Sequence, residues 1–423
     1  MATLCLWILG LLCSVIAAEN SVVSIDSHEI CTTRTNDPGI CVYQYQCKDG
    51  VLNSFGEHII DLRQPLDDCN DHLLVCCAEP TEDTTAGNEP FTNVSTGREP
   101  WDTEDEENAK PPPRVPSNGQ ESEKRPTVDI KPYTIEGCGH RNPHGVVFTI
   151  ENNVFSESEY GEYPWAVAIF KRSNQSTLKY ICGGALIDQT AILTTASCLK
   201  AYRHNMGSLV VRLGEWDIDT AREPLPHVDS EVEKIHLHPQ YGTTSKINDI
   251  AIIILRDTVE LNHNIGVVCL PPVNTDPRGA DVVGVGWGDV PTFVEPTKRP
   301  QTILKKTHLR HLAHETCQQT LRRLMGRRYM LSPSFLCAQA TDPEMLPCKG
   351  DSGSPYVMEA EHGIERYYLV GLSSWGYDCN KQNAPTVLTN VAYHRRWIDG
   401  VINDEDLNTL SYTYEGQSGN EEE

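Results

Sequence analysis

The octapeptide CKGDSGSP, Cys348 to Pro355, sets Ser352 in a turn between Gly350 and Gly353. Glycines on either side of a serine let backbone N–H groups approach a developing oxyanion, which is what a nucleophilic hydroxyl needs around it. Working outward, the chain carries CGGALI at 182–187, LTTASC at 193–198, NDIAIIIL at 248–255, GWG at 286–288 and SSWG at 373–376. Between these lie short apolar runs: WAVAIF (165–170), SLVVRLG (208–214), VVGVGWG (282–288) and YYLVGLSSWG (367–376). Each is bounded by Gly, Pro or Asn, the pattern of many antiparallel strands in a barrel or sandwich. Two segments read as helices. In CQQTLRRLMGRRY, Leu321, Leu324 and Met325 share a face, and NVAYHRRWIDGVI places Val391, Trp397 and Val401 less regularly. The Arg322, Arg323, Arg327 and Arg328 cluster reads as the wet side of the first helix, with a docking patch as the rival reading.

The remainder of the 423-residue chain has a different texture. Residues 1–18, MATLCLWILGLLCSVIAA, form an uncharged apolar run ending in small residues, a secretory signal cut near Ala18. Removing Cys5 and Cys13 with it leaves 16 − 2 = 14 cysteines, an even number suited to disulfides in an oxidising compartment. Six of them, Cys31, Cys41, Cys47, Cys69, Cys76 and Cys77, fall in a stretch too small for a self-sufficient core. Residues 78–137 are acidic and Pro-rich, an extended linker, and 404–423 end in an acidic tail. Asn93 in NVS and Asn174 in NQS are glycosylation acceptors. A net charge of −24 argues against a nucleic-acid partner, and no transmembrane segment is expected beyond the leader.

Taken in order, these motifs resemble the chymotrypsin-like serine protease family over residues 138–403, and the six-cysteine segment at 31–77 resembles the clip domain of arthropod haemolymph proteases. The resemblance implies an all-β fold: a chymotrypsin-like double β-barrel with a C-terminal helix, preceded by a small disulfide-rich domain. It also implies a triad. Asp249 matches its aspartate and Ser352 its nucleophile, whereas Ser197 stands where the family's TAAHC has histidine. A hydroxyl has no useful basicity near neutral pH, and losing that histidine costs on the order of 10⁶ in turnover. His204 follows the turn closed by Cys198 and reads as an ordinary surface histidine rather than a substitute base.

Two further departures point the same way. Family members are activated by a cut after Arg or Lys, and the new amino terminus pairs with the aspartate beside the nucleophile. Here that place reads ENNVFSESEY, with Glu151 before Asn152, which leaves Asp351 without its expected partner. In the specificity pocket, Leu346 stands at the position that selects basic side chains, and Thr386 narrows a space usually left to glycine, beside Ser374 and Gly376.

The resemblance implies the pairings Cys31–Cys76, Cys41–Cys69 and Cys47–Cys77, then Cys182–Cys198, Cys317–Cys337, Cys348–Cys379 and Cys138–Cys269. The last is expected to keep the clip and linker attached after a linker cut, for which Arg114 is the candidate site. No cofactor is expected. Glu215, Asp217 and Asp219 lie in a loop that binds calcium in some relatives, although a solvated acidic loop is the simpler reading.

The expectation is therefore a secreted, haemolymph, non-catalytic homologue similar to the subfamily A, masquerade-like and prophenoloxidase-activating-factor group. Its implied partners are upstream clip-domain proteases, prophenoloxidase and other protease homologues. An active endopeptidase with an atypical triad is one alternative, and a negative regulator or microbial-surface-binding module is another.

Overall fold

The structure, a computed structural model, describes most of residues 30–78 and of 137–414; the longer gaps in the latter are 289–301, 342–351, 361–364 and 377–383. The signal, most of the linker, Arg114, Asn93, Asn174, Leu346, Cys348, Asp351 and Cys379 lie outside the described residues. Two compact units are present: Ser24–Glu57 with Pro65–Val128, and a larger one of Asp129–Glu423 that also takes in His58–Gln64.

The smaller unit is a five-stranded sheet in the order 30–32, 38–43, 74–78, 51–52, 47–48. Its strands are too short to bury much apolar surface. The bridges Cys31–Cys76, Cys41–Cys69 and Cys47–Cys77 supply the missing stability by closing loops of 45, 28 and 30 residues. Loops of this length are worth on the order of 3–4 kcal/mol each in unfolded-chain entropy.

In the larger unit, six strands close a first barrel: β1 (Ala166–Arg172), β2 (Leu178–Asp188), β3 (Ala191–Thr194), β4 (Leu209–Leu213), β5 (Val228–Leu237) and β6 (Ala251–Leu255). A second barrel holds β7 (Asp281–Gly286), β8 (Lys305–Leu312), β9 (Phe335–Ala340), β10 (Pro355–Glu359), β11 (Tyr367–Gly376) and β12 (Thr386–Asn390). Within each barrel the hydrogen-bonded order is the same, first-second-third-sixth-fifth-fourth. All ladders in the barrels are antiparallel, and closure removes the edges that would otherwise invite aggregation. Strand β6, AIIIL, is buried at every position, which is why it reads as a continuous apolar run without alternation. The second core gathers Val282, Leu309, Ala338, Tyr356, Val370 and Leu388, each at 3 % exposure or less. Burying a side chain such as Leu309 contributes roughly 1.5–3 kcal/mol.

Helices α1 (Ala196–Leu199), α2 (His314–Met325) and α3 (Val391–Asp404) complete the unit. Helix α2 buries Cys317 and Leu321, one turn apart, whereas Leu324 is half-buried and Met325 is exposed. The expected Leu321, Leu324 and Met325 face is thus rotated toward Cys317, whose bridge to Cys337 anchors the helix to β9. Helix α3 buries Val391, Arg395, Ile398 and Ile402; Trp397 and Val401 stand at the edge of that stripe. Nor does packing stop at Asn403. Tyr412 is fully buried, donates to Asp399 Oδ1 at 2.9 Å, and its carbonyl accepts from Leu270 N at 2.9 Å.

The larger unit also forms Cys138–Cys269 and Cys182–Cys198. Cys138 follows the linker, and the clip bridges close only on one another. A cut at Arg114 therefore leaves no bridge among the described residues between its two products, which corrects the expected covalent retention. Among the elements of the larger unit that come from before the cut, Ile59–Ile60 pairs in parallel with Thr149–Ile150, and Ile60 O accepts from Glu151 N at 2.8 Å.

Candidate functional site

Ser197 sits in the one-turn helix α1, just after β3, where the Cys182–Cys198 bridge ties the turn to β2. Asp249 immediately precedes β6. The loop that delivers it has left-handed backbone at Lys246 (φ 59) and Asn248 (φ 55), a conformation Asn tolerates better than Lys. Asn248 is held in turn by Gln240 O at 3.1 Å and Ser334 Oγ at 3.3 Å. Ser352 lies in the turn before β10, with its carbonyl accepting from Gly183 N at 2.9 Å. Gly353 has φ 80, and a Cβ there would collide with Thr194 Oγ1 and Gly183 O, so the residue after the serine must be glycine.

These segments bring together residues 155 positions apart in the chain. Asp249 is fully buried; its Oδ1 accepts from Ser197 N at 2.6 Å, and its Oδ2 accepts from Ser197 Oγ at 2.9 Å and Ser374 Oγ at 2.7 Å. Lys246 Nζ stands 3.8 Å from the same Oδ2. Burial pushes the Asp249 carboxyl above the ordinary range; the Ser374 bond, the Lys246 charge and the Ser197 bonds oppose that rise. Ser352 Oγ lies 3.2 Å from Thr195 Oγ1 and 3.5 Å from Ser197 Oγ. The second distance is at the limit of a hydrogen bond.

The chemistry follows from these contacts. Around Ser352 the partners are hydroxyls, and neither Thr195 nor Ser197 can hold a proton taken from another alcohol near neutral pH. Among the described residues, the carboxylate that could hold one, Asp249, is reached through Ser197, across the weak 3.5 Å step. His204 is exposed on the surface and accepts from Arg203 Nε at 2.7 Å. In the second barrel, Thr386 is half-buried and directly opposite Gly376 in the β11–β12 ladder. Ser374 is buried and engaged with Asp249.

The acidic loop is arranged differently from its expected form. Asp219 is exposed, and Asp217 Oδ1 accepts from its backbone N–H at 3.2 Å. Glu215 instead clusters with Glu223 and His227, whose ligand atoms all fall within 4.8 Å of one another. Burial, then the neighbouring Glu223, push the Glu215 carboxyl up to about 10. Burial, then Arg212, push His227 down. Calcium takes roughly six to eight oxygens. Here an imidazole completes the cluster, and the Arg212 guanidinium already sits 3.0 Å from Glu215 Oε2. Two carboxylates and an imidazole at this spacing form a group that could hold a metal ion, with fewer oxygens than calcium prefers.

Two closed barrels of six strands, with Ser197 and Asp249 contributed by the first and Ser352 and Ser374 by the second, define a chymotrypsin-like domain. A trypsin family model matches residues 153–398, and a serine protease clip-domain model of the PPAF-2 type matches 28–78. The inactive CLIP domain-containing serine protease A28 of Anopheles gambiae is 33 % identical over 88 % of this chain and 90 % of its own. Phenoloxidase-activating factor 2 of Galleria mellonella is 35 % identical over 68 % and 96 %. The inactive CLIP domain-containing serine protease A8 of Anopheles gambiae is 29 % identical over 86 % and 88 %. The chain belongs to the clip-domain serine proteases of the trypsin family.

Thr195 and Lys246 are the site residues that sequence reasoning missed. Lys246 stands three residues before Asp249 in KIND, a spacing that signals an ion pair only once the loop's left-handed turns are known. Thr195 carried a signal in LTTASC that was passed over, a second hydroxyl two residues before Ser197.

Proposed function

We propose that this chain is a secreted, non-catalytic homologue that acts, after limited proteolysis near Arg114, as a cofactor in the prophenoloxidase (melanisation) cascade of arthropod innate immunity. The observation that carries the reading is the local surroundings of Ser352: hydroxyl partners, with the buried Asp249 satisfied by Ser197 and Ser374 instead of by an imidazole. Such an arrangement holds a fold together without activating a nucleophile. Relatives named as inactive clip-domain proteases and as phenoloxidase-activating factors support it. The described disulfides are suited to an oxidising, extracellular setting, and no helix among the described residues is long and apolar enough to cross a membrane.

Binding then replaces turnover, and the partners are upstream clip-domain proteases, prophenoloxidase and other homologues. The test is reconstitution of prophenoloxidase activation with and without the purified, cleaved protein, alongside incubation with a serine-directed fluorophosphonate. Accelerated activation without labelling of Ser352 is expected. Labelling of Ser352 would make the chain an enzyme, and slowed activation would make it a restraint on the cascade.

A further inference from the structure

The loop between β4 and β5 gathers Glu215, Glu223 and His227, whose ligand atoms lie within 4.8 Å of one another. The hairpin places two of them. Leu213 pairs with Val228 at the end of the ladder, so the loop leaves the sheet with Glu215 on one side and His227 on the other. The rest of the loop is pinned by the core. The hydroxyl of fully buried Tyr160 donates to Leu225 O at 2.9 Å and accepts from Leu225 N at 2.9 Å, midway between Glu223 and His227. Glu215 and Glu223 are each 4 % exposed. Arg212 Nη1 donates to Glu215 Oε2 at 3.0 Å, but its Nε and Nη2 donate to Asp229 at 2.6 and 3.0 Å. That guanidinium is therefore shared between two carboxylates, and Glu223 adds another. Buried like charges this close repel unless a proton or a cation stands between them.

A second observation is independent of the acidic composition. Glu223 Oε1 accepts from Asp217 N at 3.2 Å, whereas its Oε2 is buried with no hydrogen-bond partner. His227 Nδ1 is likewise buried with no hydrogen-bond partner, although it lies 3.3 Å from Glu215 Oε2. Interiors rarely leave two such atoms unused side by side. For ligands about 2.0–2.1 Å from a tetrahedral zinc ion, neighbouring donor atoms are about 3.3–3.4 Å apart. Two donors that meet at this distance without bonding each other are placed as co-ligands are. An ion held by buried atoms needs no open cavity, and the His227 side chain, 16 % exposed, gives it a way in. Nitrogen decides which ion: imidazole suits zinc, whereas calcium and magnesium take oxygens.

We infer that Glu215, Glu223 and His227 bind a zinc ion, with water in the fourth position, and that the ion staples the loop across the β4–β5 hairpin. Arg212 stays outside the ligand set and supports Glu215 by its hydrogen bond. The site is separate from the Ser352 cluster and does not depend on the proposed cofactor role.

The experiment uses the full-length, disulfide-intact protein, stripped of metal by a chelator and dialysed, with zinc chloride and calcium chloride as probes. Binding is read by calorimetry and by the shift in Tm. Zinc is expected to bind at least about 100-fold more tightly than calcium. At about 100 times its Kd it should raise Tm by about 5–10 °C. Two variants separate ligation from folding. His227→Asn removes the nitrogen ligand and should weaken zinc at least about tenfold, with the metal-free Tm close to that of wild type. Glu223→Gln should also weaken zinc at least about tenfold, and because it removes one of two neighbouring like charges it should raise the metal-free Tm. Calcium bound as tightly as zinc, or zinc affinity unchanged in either variant, would overturn the inference. So would no zinc uptake at millimolar concentration, which would give the place between the carboxylates to a shared proton.

Discussion

Removing the charge of Asp249 while keeping its shape, as in Asp249→Asn, is expected to change stability by no more than about 1 kcal/mol. The carboxylate is fully buried and takes three hydrogen bonds, from Ser197 N, Ser197 Oγ and Ser374 Oγ. An amide oxygen keeps the first. The amide NH₂ can donate to a serine hydroxyl, which simply reverses its own role. What is lost is the 3.8 Å contact with the half-buried Lys246, of small worth beside solvent; what is relieved is the cost of burying an anion. Asp249→Ala is different. It leaves three donors without an acceptor, Ser374 Oγ buried and the two of Ser197 part-buried, at up to about 1–3 kcal/mol each before relaxation, so a net loss of about 3–5 kcal/mol is expected. At about 2–4 °C per kcal/mol for a domain of this size, Tm should fall by roughly 6–20 °C. Calorimetry and guanidinium unfolding of the disulfide-intact protein give both values. If Asp249→Asn proves as damaging as Asp249→Ala, the negative charge itself is required, and a purely structural role for Asp249 is wrong.

Ser197→His alone should leave arginyl-ester hydrolysis within about 100-fold of wild type, far from the ~10⁶ that the family's histidine is worth, because Ser352 Oγ already lies 3.5 Å from Ser197 Oγ and leaves too little room for a ring with a ~3 Å hydrogen bond beyond it; strong hydrolysis by the linker-cleaved variant would refute this. Burial lowers the His394 pKa to about 4 from the ordinary histidine value of about 6.5, so its contribution is fully present above about pH 6.5 and is lost as pH falls toward 4, by about 3 kcal/mol in all. NMR titration checks it, and an ordinary or raised pKa would mean that both ring nitrogens donate, to Asn390 O and Asn248 Oδ1. Mass spectrometry of non-reduced peptides should find Cys348 joined to Cys379 and no free thiol in the mature chain; a bridge from Cys47 to the larger domain would break the pairing scheme.

How legible the molecule is in its sequence depends on the range of the forces involved. Strands such as β6 are written locally, in five consecutive apolar residues between turn formers. Closure of six strands into a barrel is not local, and it was readable only because ordered motifs resemble a known family. Ser197, Asp249 and Ser352 were readable for the same reason. Their surroundings were less so: the Thr195 hydroxyl beside Ser352 and the Lys246 charge beside Asp249 depend on how two loops turn. The acidic loop reads as solvated in the sequence, yet Glu215, Asp217 and Glu223 are buried. Glu215 meets Glu223 and His227 across a loop, while Asp219 turns outward.

The pairing of Ile59–Ile60 with Thr149–Ile150 has a kinetic meaning once the linker is cut. In the intact chain the two halves of that pairing share one molecule, and tethering keeps them at an effective concentration of order millimolar. Because each bridge described closes on one side of Arg114 or the other, cleavage there turns a first-order encounter into a second-order one. Two residue pairs taken by themselves are far too small an interface to survive dilution. Proteolysis at Arg114 would thereby take the tether from this pairing, so that its persistence depends on concentration and no longer on the length of the chain between its halves.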